Sequence, residues 1–362
     1  MRPTITAVLI GPFAPPIHGV TMSNGKLVAM LEARGQKVLC INISGDGQAR
    51  GLVYHLIRLS RALKGAVAIL FAPRNEERVY EMSVDGGTGL VYNILLGAAV
   101  RLRSAPLALF HHSTRYIVAD SRLMRLLLKV VGPGAMHIAC SPVMFAAFRT
   151  RYGVPDRFLH LSNAVWLNTP AFRTATPQST IHLAYLSALR EDKGVLRAIA
   201  TLRALKARGV DATLAIAGGS PGPHILDAVT AAQHEFGEAL AFKGPISDEE
   251  KCSFYADMDY YLFPSLYPHE TQSSAAPEAI AMGLPVIAFD HRFVGDLVRP
   301  DGGHLIDPMA DYANVAADWI AEGHDLNVRA ERSRKARVQD ARNRTEAAGQ
   351  LDRFLAWMTR PD

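Results

Sequence analysis

Apolar residues fall along this chain in short runs that stop at glycine or a polar turn, with helix-period stretches between them. Ile5 to Ile10 is apolar, rich in β-branched residues, and ends at Gly11, which is the pattern of a parallel strand buried on both faces. A turn-rich loop runs from Gly11 to Gly19. A helix over residues 23–32 and a strand over 37–43 follow, so the chain opens as the start of a doubly wound sheet. The alternation continues with helices at 52–63, 90–103, 122–131 and 142–152, and strands at 67–71, 107–110 and 137–140. It restarts with a strand at 181–186 and a helix at 194–208. A strand at 212–217 then ends in Gly218-Gly219. A helix at 225–236, a strand at 241–243, a helix at 248–256, a strand at 259–263, a helix at 275–282 and a strand at 285–288 follow. A polar helical tail occupies about 311–360.

This pattern predicts an α/β protein with two Rossmann-like doubly wound domains facing a cleft. The expected divisions are an N-terminal domain over 1–167, a Thr/Pro/Ser-rich linker over 168–179 and a C-terminal domain over 180–342. A last helix over 343–362 is expected to pack back toward the first domain. The length of 362 residues suits two domains, and 49% apolar with 20% charged residues is ordinary for a globular protein. No stretch reaches the roughly 18 apolar residues of a membrane span, and no signal peptide is read at the N-terminus. Three scattered cysteines, Cys40, Cys140 and Cys252, fit a reducing compartment and lack metal-ligand spacing.

The net charge of +5 hides an asymmetry. Residues 1–165 hold 19 Lys and Arg against 8 Asp and Glu, whereas the remainder holds 20 against 26. A basic first half fits an anionic membrane surface or a phosphate-bearing acceptor. The helical stretches with Arg58, Arg61, Lys64 and with Arg122, Arg125, Lys129 mix cations with leucine, which suits interfacial binding, or a solvated face that buries its leucines. No interleaved aromatic-basic run points to nucleic acid.

Four segments of the second half carry candidate chemistry. Leu186-Ser-Ala-Leu-Arg190-Glu-Asp-Lys193-Gly194 places two cations on a loop before a helix, where they can stabilise phosphate charge. Gly218-Gly219 ends a strand where backbone can approach a ligand. Phe242-Lys-Gly-Pro-Ile246 ends another. Glu270-Thr271-Gln272-Ser273-Ser274-Ala-Ala-Pro277-Glu278 sets two carboxylates eight positions apart, one on a loop and one about a turn inside a helix, with Pro277 in the first turn. Carboxylates suit a ligand rich in vicinal hydroxyls.

Together these segments resemble the retaining glycosyltransferases of the GT-B fold, family four (glycosyl transferases group 1). The resemblance implies a hexosyltransferase that takes its sugar from a UDP- or GDP-linked donor. It implies that Glu270 accepts hydrogen bonds from the sugar and Glu278 from the ribose, and that Arg190 and Lys193 offset pyrophosphate charge. Thr271, Gln272, Ser273 and Ser274 then line the donor, Gly218 lies near it, and backbone at Ile246 meets the base. In the first half, Gly19 resembles the family's glycine-rich loop against the donor phosphate, with His18 on the acceptor side. The family has a histidine near the transferred sugar after the strand at 107–110. His111 and His112 both stand there, and adjacent strand residues face opposite sides. His112 is favoured as the catalytic one because a polar turn follows it, and His111 stays as the donor-side alternative. No cofactor and no metal are expected, since Asp257-Met-Asp259 sits at a helix-strand junction and reads as structural. The implied acceptor is a glycan or lipid-linked saccharide in bacterial cell-surface polysaccharide assembly. The implied location is cytoplasmic, at the inner face of the plasma membrane. A sugar-nucleotide epimerase of the same fold and a catalytically silent donor-binding module are the alternatives. A dinucleotide oxidoreductase is disfavoured because Gly11-Pro-Phe-Ala-Pro-Pro lacks the Gly-x-Gly-x-x-Gly pattern.

Overall fold

The computed structural model describes residues 5–15, 19–45, 51–167, 179–219 and 221–359. The chain divides into two units. Residues 1–166 with 347–362 form unit 1, and 167–346 form unit 2. His18 and all but the last residue of the expected linker lie outside the described residues.

Unit 1 runs β1 (Thr6–Gly11), α1 (Gly19–Glu32), β2 (Lys37–Asn42), α2 (Gly51–Leu70), β3 (Arg78–Val84), α3 (Leu90–Leu102), β4 (Leu107–His111), α4 (Arg115–Val118), α5 (Arg122–Val131), β5 (Met136–Ala139), α6 (Pro142–Tyr152) and β6 (Phe158–His160). Unit 2 begins with β7 (Ile181–Leu186), α7 (Val195–Ala207), β8 (Ala212–Ala217), α8 (Pro223–Phe236) and β9 (Leu240–Phe242). It continues with α9 (Asp248–Ala256), β10 (Tyr260–Phe263), α10 (Ala275–Ala281), β11 (Val286–Phe289), α11 (Gly295–Val298), β12 (Gly303–Ile306) and α12 (Tyr312–Glu322). The long α13 (Leu326–Thr359) starts in unit 2 and ends in unit 1.

Each unit is built on a six-stranded parallel sheet. The strand orders are β2-β1-β3-β4-β5-β6 and β12-β11-β10-β7-β8-β9. The reversal of order beside the first strand of each sheet is the doubly wound arrangement, which gathers ligand-binding loops at the carboxyl ends of the strands. In unit 1, Leu9, Val79, Ala108 and Phe110 on one sheet face pack against Leu27 and Leu31 of α1 and against Phe354, Leu355, Trp357 and Met358 of α13. In unit 2, the strands pack on α7, α8 and α12. No helix of the described residues is long and apolar enough to cross a membrane.

One expected strand is misplaced, and β6 and β12 have no counterpart among the expected elements. Residues 67–71 were expected as a strand, but α2 runs on as a single helix through Leu70, and the strand lies later, at Arg78–Val84. A short apolar run such as Ala66-Val-Ala-Ile-Leu70 does not distinguish strand from helix by periodicity. The true strand carries Glu81 at its centre, fully buried and in register with Leu9 and Ala108.

Candidate active site

The residues expected on the donor side gather about the carboxyl ends of β7, β8 and β10. After β7 the chain makes a 3₁₀ turn at Glu191–Lys193 and enters α7 through Gly194. Gly194 has φ +89°, and a Cβ there would lie 2.2 Å from the carbonyl oxygen of Pro264, so only glycine lets this loop press against the end of β10. The Leu266 amide closes the contact by donating to Asp192 O at 2.9 Å.

That contact delivers Lys193 to Glu270. Lys193 Nζ donates to Glu270 Oε2 at 2.7 Å, and Ser265 Oγ donates to the same oxygen at 3.0 Å. Both charged side chains are largely buried, which strengthens the pair. Arg190 is exposed and pairs with Asp192. The Arg190 guanidinium lies 4.9 Å from the centre of the Tyr267 ring and the Lys193 ammonium 4.4 Å from it. A cavity of about 590 Å³ opens beside Arg190, with Arg197, His224 and Leu266 among its lining; neither glutamate lines it.

Glu278 sits on α10, where Glu278 Oε1 accepts from Lys251 Nζ of α9 at 3.0 Å. Lys251 also pairs with Asp248 at 2.8 Å. Burial works to lower the Lys251 pKa, but Glu278 and Asp248 outweigh it and hold the ammonium above its ordinary value. The helix starts at Ala275, so Pro277 falls in its first turn, where no hydrogen-bonding N–H is required. Gln272 is buried, Thr271 and Ser273 are half-buried and Ser274 is exposed. Ser273 takes φ +57°, a left-handed conformation that a non-glycine residue holds at a cost of about 1–3 kcal/mol.

Gly218 meets a constraint set by the protein's own backbone. Its φ is +144°, and a Cβ would lie 1.8 Å from the Ser187 carbonyl oxygen, so the protein's own backbone demands this glycine. The Gly218 amide donates to Gly244 O at 2.8 Å, which ties the loop after β8 to the loop carrying half-buried Ile246. Within the Asp257-Met-Asp259 triplet, Asp259 is tied up internally. Asp259 Oδ2 accepts the His182 amide at 2.8 Å and pairs with Arg329 at 3.3 Å.

Gly19, His111 and His112 belong to unit 1. Gly19 opens α1 with nothing within 4 Å of where a Cβ would stand. The two histidines face opposite sides of β4. His111, kept above as a donor-side candidate, is instead a core residue. Its Nδ1 is 2.9 Å from the Tyr116 hydroxyl and its Nε2 is 3.0 Å from His137 Nδ1, so both ring nitrogens are engaged inside the unit. Burial, with His137 and His112 adding to it, keeps His111 well below the usual histidine range, and burial pushes His137 down to about 4. His112 is half-buried, its ring stacked on Phe110 at 4.0 Å. Arg58, expected on a cationic outer face, is likewise buried. It donates to Ile43 O at 2.9 Å, pairs with Asp85 and lies 4.6 Å from the centre of the Tyr92 ring.

Sequence reasoning missed Tyr267, Ser265 and Lys251. They lie in or beside the segments it singled out, but only their contacts mark them.

Residues 171–339 match the model of the family Glycosyl transferases group 1. The match takes in Arg190, Lys193, Glu270 and Glu278, and it supports a transferase. Over 173 residues the chain is 31% identical to a GDP-mannose-dependent alpha-(1-6)-phosphatidylinositol dimannoside mannosyltransferase of Mycobacterium tuberculosis. That alignment covers 48% of this chain and 41% of the relative, so the chain spans less than half the length of that protein. Among solved structures, a glycosyltransferase from Rickettsia africae ESF-5 superposes with a TM-score of 0.72 at 14% identity over 100% of both chains. Anabaena HepE in complex with UDP and glucose superposes with a TM-score of 0.65 at 15% identity, over 97% of this chain and 99% of that one. At such identities the likeness shows the fold, which is GT-B with two Rossmann-like domains.

Proposed function

We propose that this chain is a retaining, metal-independent glycosyltransferase of family four. It takes a hexose-type sugar from a UDP- or GDP-linked donor and passes it to a saccharide or lipid-linked acceptor in bacterial cell-surface polysaccharide assembly. The buried Lys193–Glu270 pair carries the reading, because it puts a cation and a hydrogen-bond-accepting carboxylate in one dry position at the end of β10. The UDP and glucose on Anabaena HepE support the donor class. The mycobacterial relative, named for GDP-mannose and a phosphatidylinositol-linked acceptor, supports the alternative nucleotide and a lipid-linked acceptor.

In this reading Glu270 accepts hydrogen bonds from the sugar hydroxyls, and Glu278, aimed by Lys251, accepts them from the ribose. Arg190 and Lys193 offset the charge that grows on the leaving diphosphate. The departing phosphate oxygen takes the acceptor hydroxyl's proton on the face where the new bond forms, so the anomeric configuration is kept. The protein contributes positioning and charge stabilisation. His112 is the unit 1 candidate for the transferred sugar.

The test is a thermal-shift screen of UDP- and GDP-sugars, followed by donor hydrolysis and transfer with wild type and Glu270→Ala. A bound donor raises the melting temperature according to its affinity. Equal rates in the two proteins would sink the assignment of Glu270, and donor binding without turnover would leave the silent module. Activity that is lost in chelator and restored by a divalent cation would overturn metal independence.

A further inference from the structure

An amphipathic helix on a protein surface normally turns its leucines inward. α2 does the reverse. Its inner face carries Arg58, Ala62, Gly65, Ala66 and Ile69. Its outer face carries Leu52, Leu56, Leu59, Leu63, Val67 and Leu70, all exposed, with Leu52 at 74%. Phe71, just beyond its end, is 82% exposed. The inner face is small for a reason: a Cβ on Gly65 would lie 2.5 Å from Ile41 Cγ2 and 3.1 Å from Leu96 Cδ2, so α2 lies close against the sheet and α3. The large side chains are left outside on a rod of about 30 Å. The neighbouring helices extend this surface. α2 packs on α3 and α3 on α5, and Leu102 (75% exposed) and Leu126 are also exposed.

The charges of these three helices all have one sign. α2, α3 and α5 together carry seven Lys and Arg residues and no Asp or Glu. Arg58 turns inward and Arg125 pairs with Asp120, while Lys64, Arg101, Arg122 and Lys129 are exposed.

We propose that the outward face of α2, with α3 beside it and α5 beyond α3, seats this protein on an anionic lipid bilayer, with the leucines entering the boundary between headgroups and acyl chains. An exposed apolar rod bordered by cations, on helices that hold no acid, matches that interface in both of its properties. The stripe spacing of three and four would also suit a second copy of the helix, but two copies would bring cationic helices together with no acid on either to answer them. A lipid surface supplies the opposite charge. The proposal deepens the lipid-linked acceptor reading, and its test reads lipid binding alone, so it can fail while the donor assignment stands.

The experiment is co-sedimentation of the full chain with vesicles of phosphatidylcholine, with and without phosphatidylglycerol, compared with Leu56→Gln/Leu63→Gln/Val67→Gln. The wild type is expected to bind the anionic vesicles, and the triple variant to bind about tenfold more weakly at an unchanged melting temperature. Should the triple variant misfold, Phe71→Trp reads insertion in the folded protein, by a blue shift and by quenching from brominated acyl chains, each measured against the wild-type tryptophan background. Three results overturn the proposal: wild type that stays in the supernatant, a folded triple variant that binds as wild type does, or a Phe71→Trp variant whose added emission is unmoved by vesicles. So does a wild-type dimer that the triple substitution dissociates while vesicles capture neither protein, because the occupant is then a second copy.

Discussion

The Lys193 ammonium lies 2.7 Å from the Glu270 carboxylate, with 17% and 7% of the two side chains exposed. The residues are 77 positions apart, and the approach of the Gly194 loop to Pro264 brings them together. Removing one partner strands the other's charge in a dry site. Lys193→Met and Glu270→Gln should each lower unfolding stability by about 3 kcal/mol, and the double variant by less than the sum of the two. Urea unfolding of the three variants measures this. Additive losses would show that the pair is not coupled.

The Gly194 position tests whether the loop's approach matters to the site. Gly194→Ala forces a side chain into a left-handed conformation and against the Pro264 carbonyl. It should destabilise unit 2 by more than about 1 kcal/mol and abolish donor-induced thermal stabilisation, because Lys193 no longer reaches Glu270. Retained stabilisation in a folded Gly194→Ala protein would contradict this.

Lys251 should behave as a positioning residue. Its ammonium aims Glu278, which carries the proposed ribose contact. Lys251→Ala is expected to raise the donor KM by about tenfold and to change kcat less, which is the signature of lost ground-state binding. Steady-state kinetics with the donor found in the thermal screen decides it, and a drop in kcat at constant KM would assign Lys251 another role.

Unit 1 carries buried titrations of opposite sign: Glu81 is pushed up, while His111 and His137 are pushed down. Burial pushes the Glu81 carboxyl up to about 8, and among the described residues neither of its oxygens has a hydrogen-bond partner. The unfolded chain ionises Glu81 near 4.5 while the folded chain keeps its proton, so stability falls as pH rises from about 4.5 to about 8. The loss is of the order of 5 kcal/mol at about 1.4 kcal/mol per unit. Glu81→Gln should remove that slope. His137, pushed down to about 4 from 6.5 by burial, acts the other way: the unfolded chain takes up a proton first, so stability falls as pH drops from about 6.5 to about 4. Denaturant unfolding of wild type and Glu81→Gln across this range should give a dome for the wild type and no alkaline fall below pH 8 for the variant.

Much of the fold and part of the site were legible in the sequence. Strand and helix alternation is written in spacings of two and of three to four residues, so α5, α6 and α9 have the bounds that the pattern predicts. Glu270 and Glu278 stand out because their segment is contiguous. β3 was not legible, since a buried glutamate breaks its apolar run and the preceding Ala-Val-Ala-Ile-Leu is equally good as helix.

What the sequence determined by itself is therefore local. It sets two α/β halves, their basic and acidic balance, and which loops carry carboxylates and cations. Tertiary structure decided the pairings and the facings: Lys193 with Glu270, Lys251 with Glu278, His111 with His137, Arg58 inward and the α2 leucines outward. Sheet register, loop closure at Gly194 and the close packing at Gly65 set those distances, and each joins residues too far apart in sequence for any period to relate them.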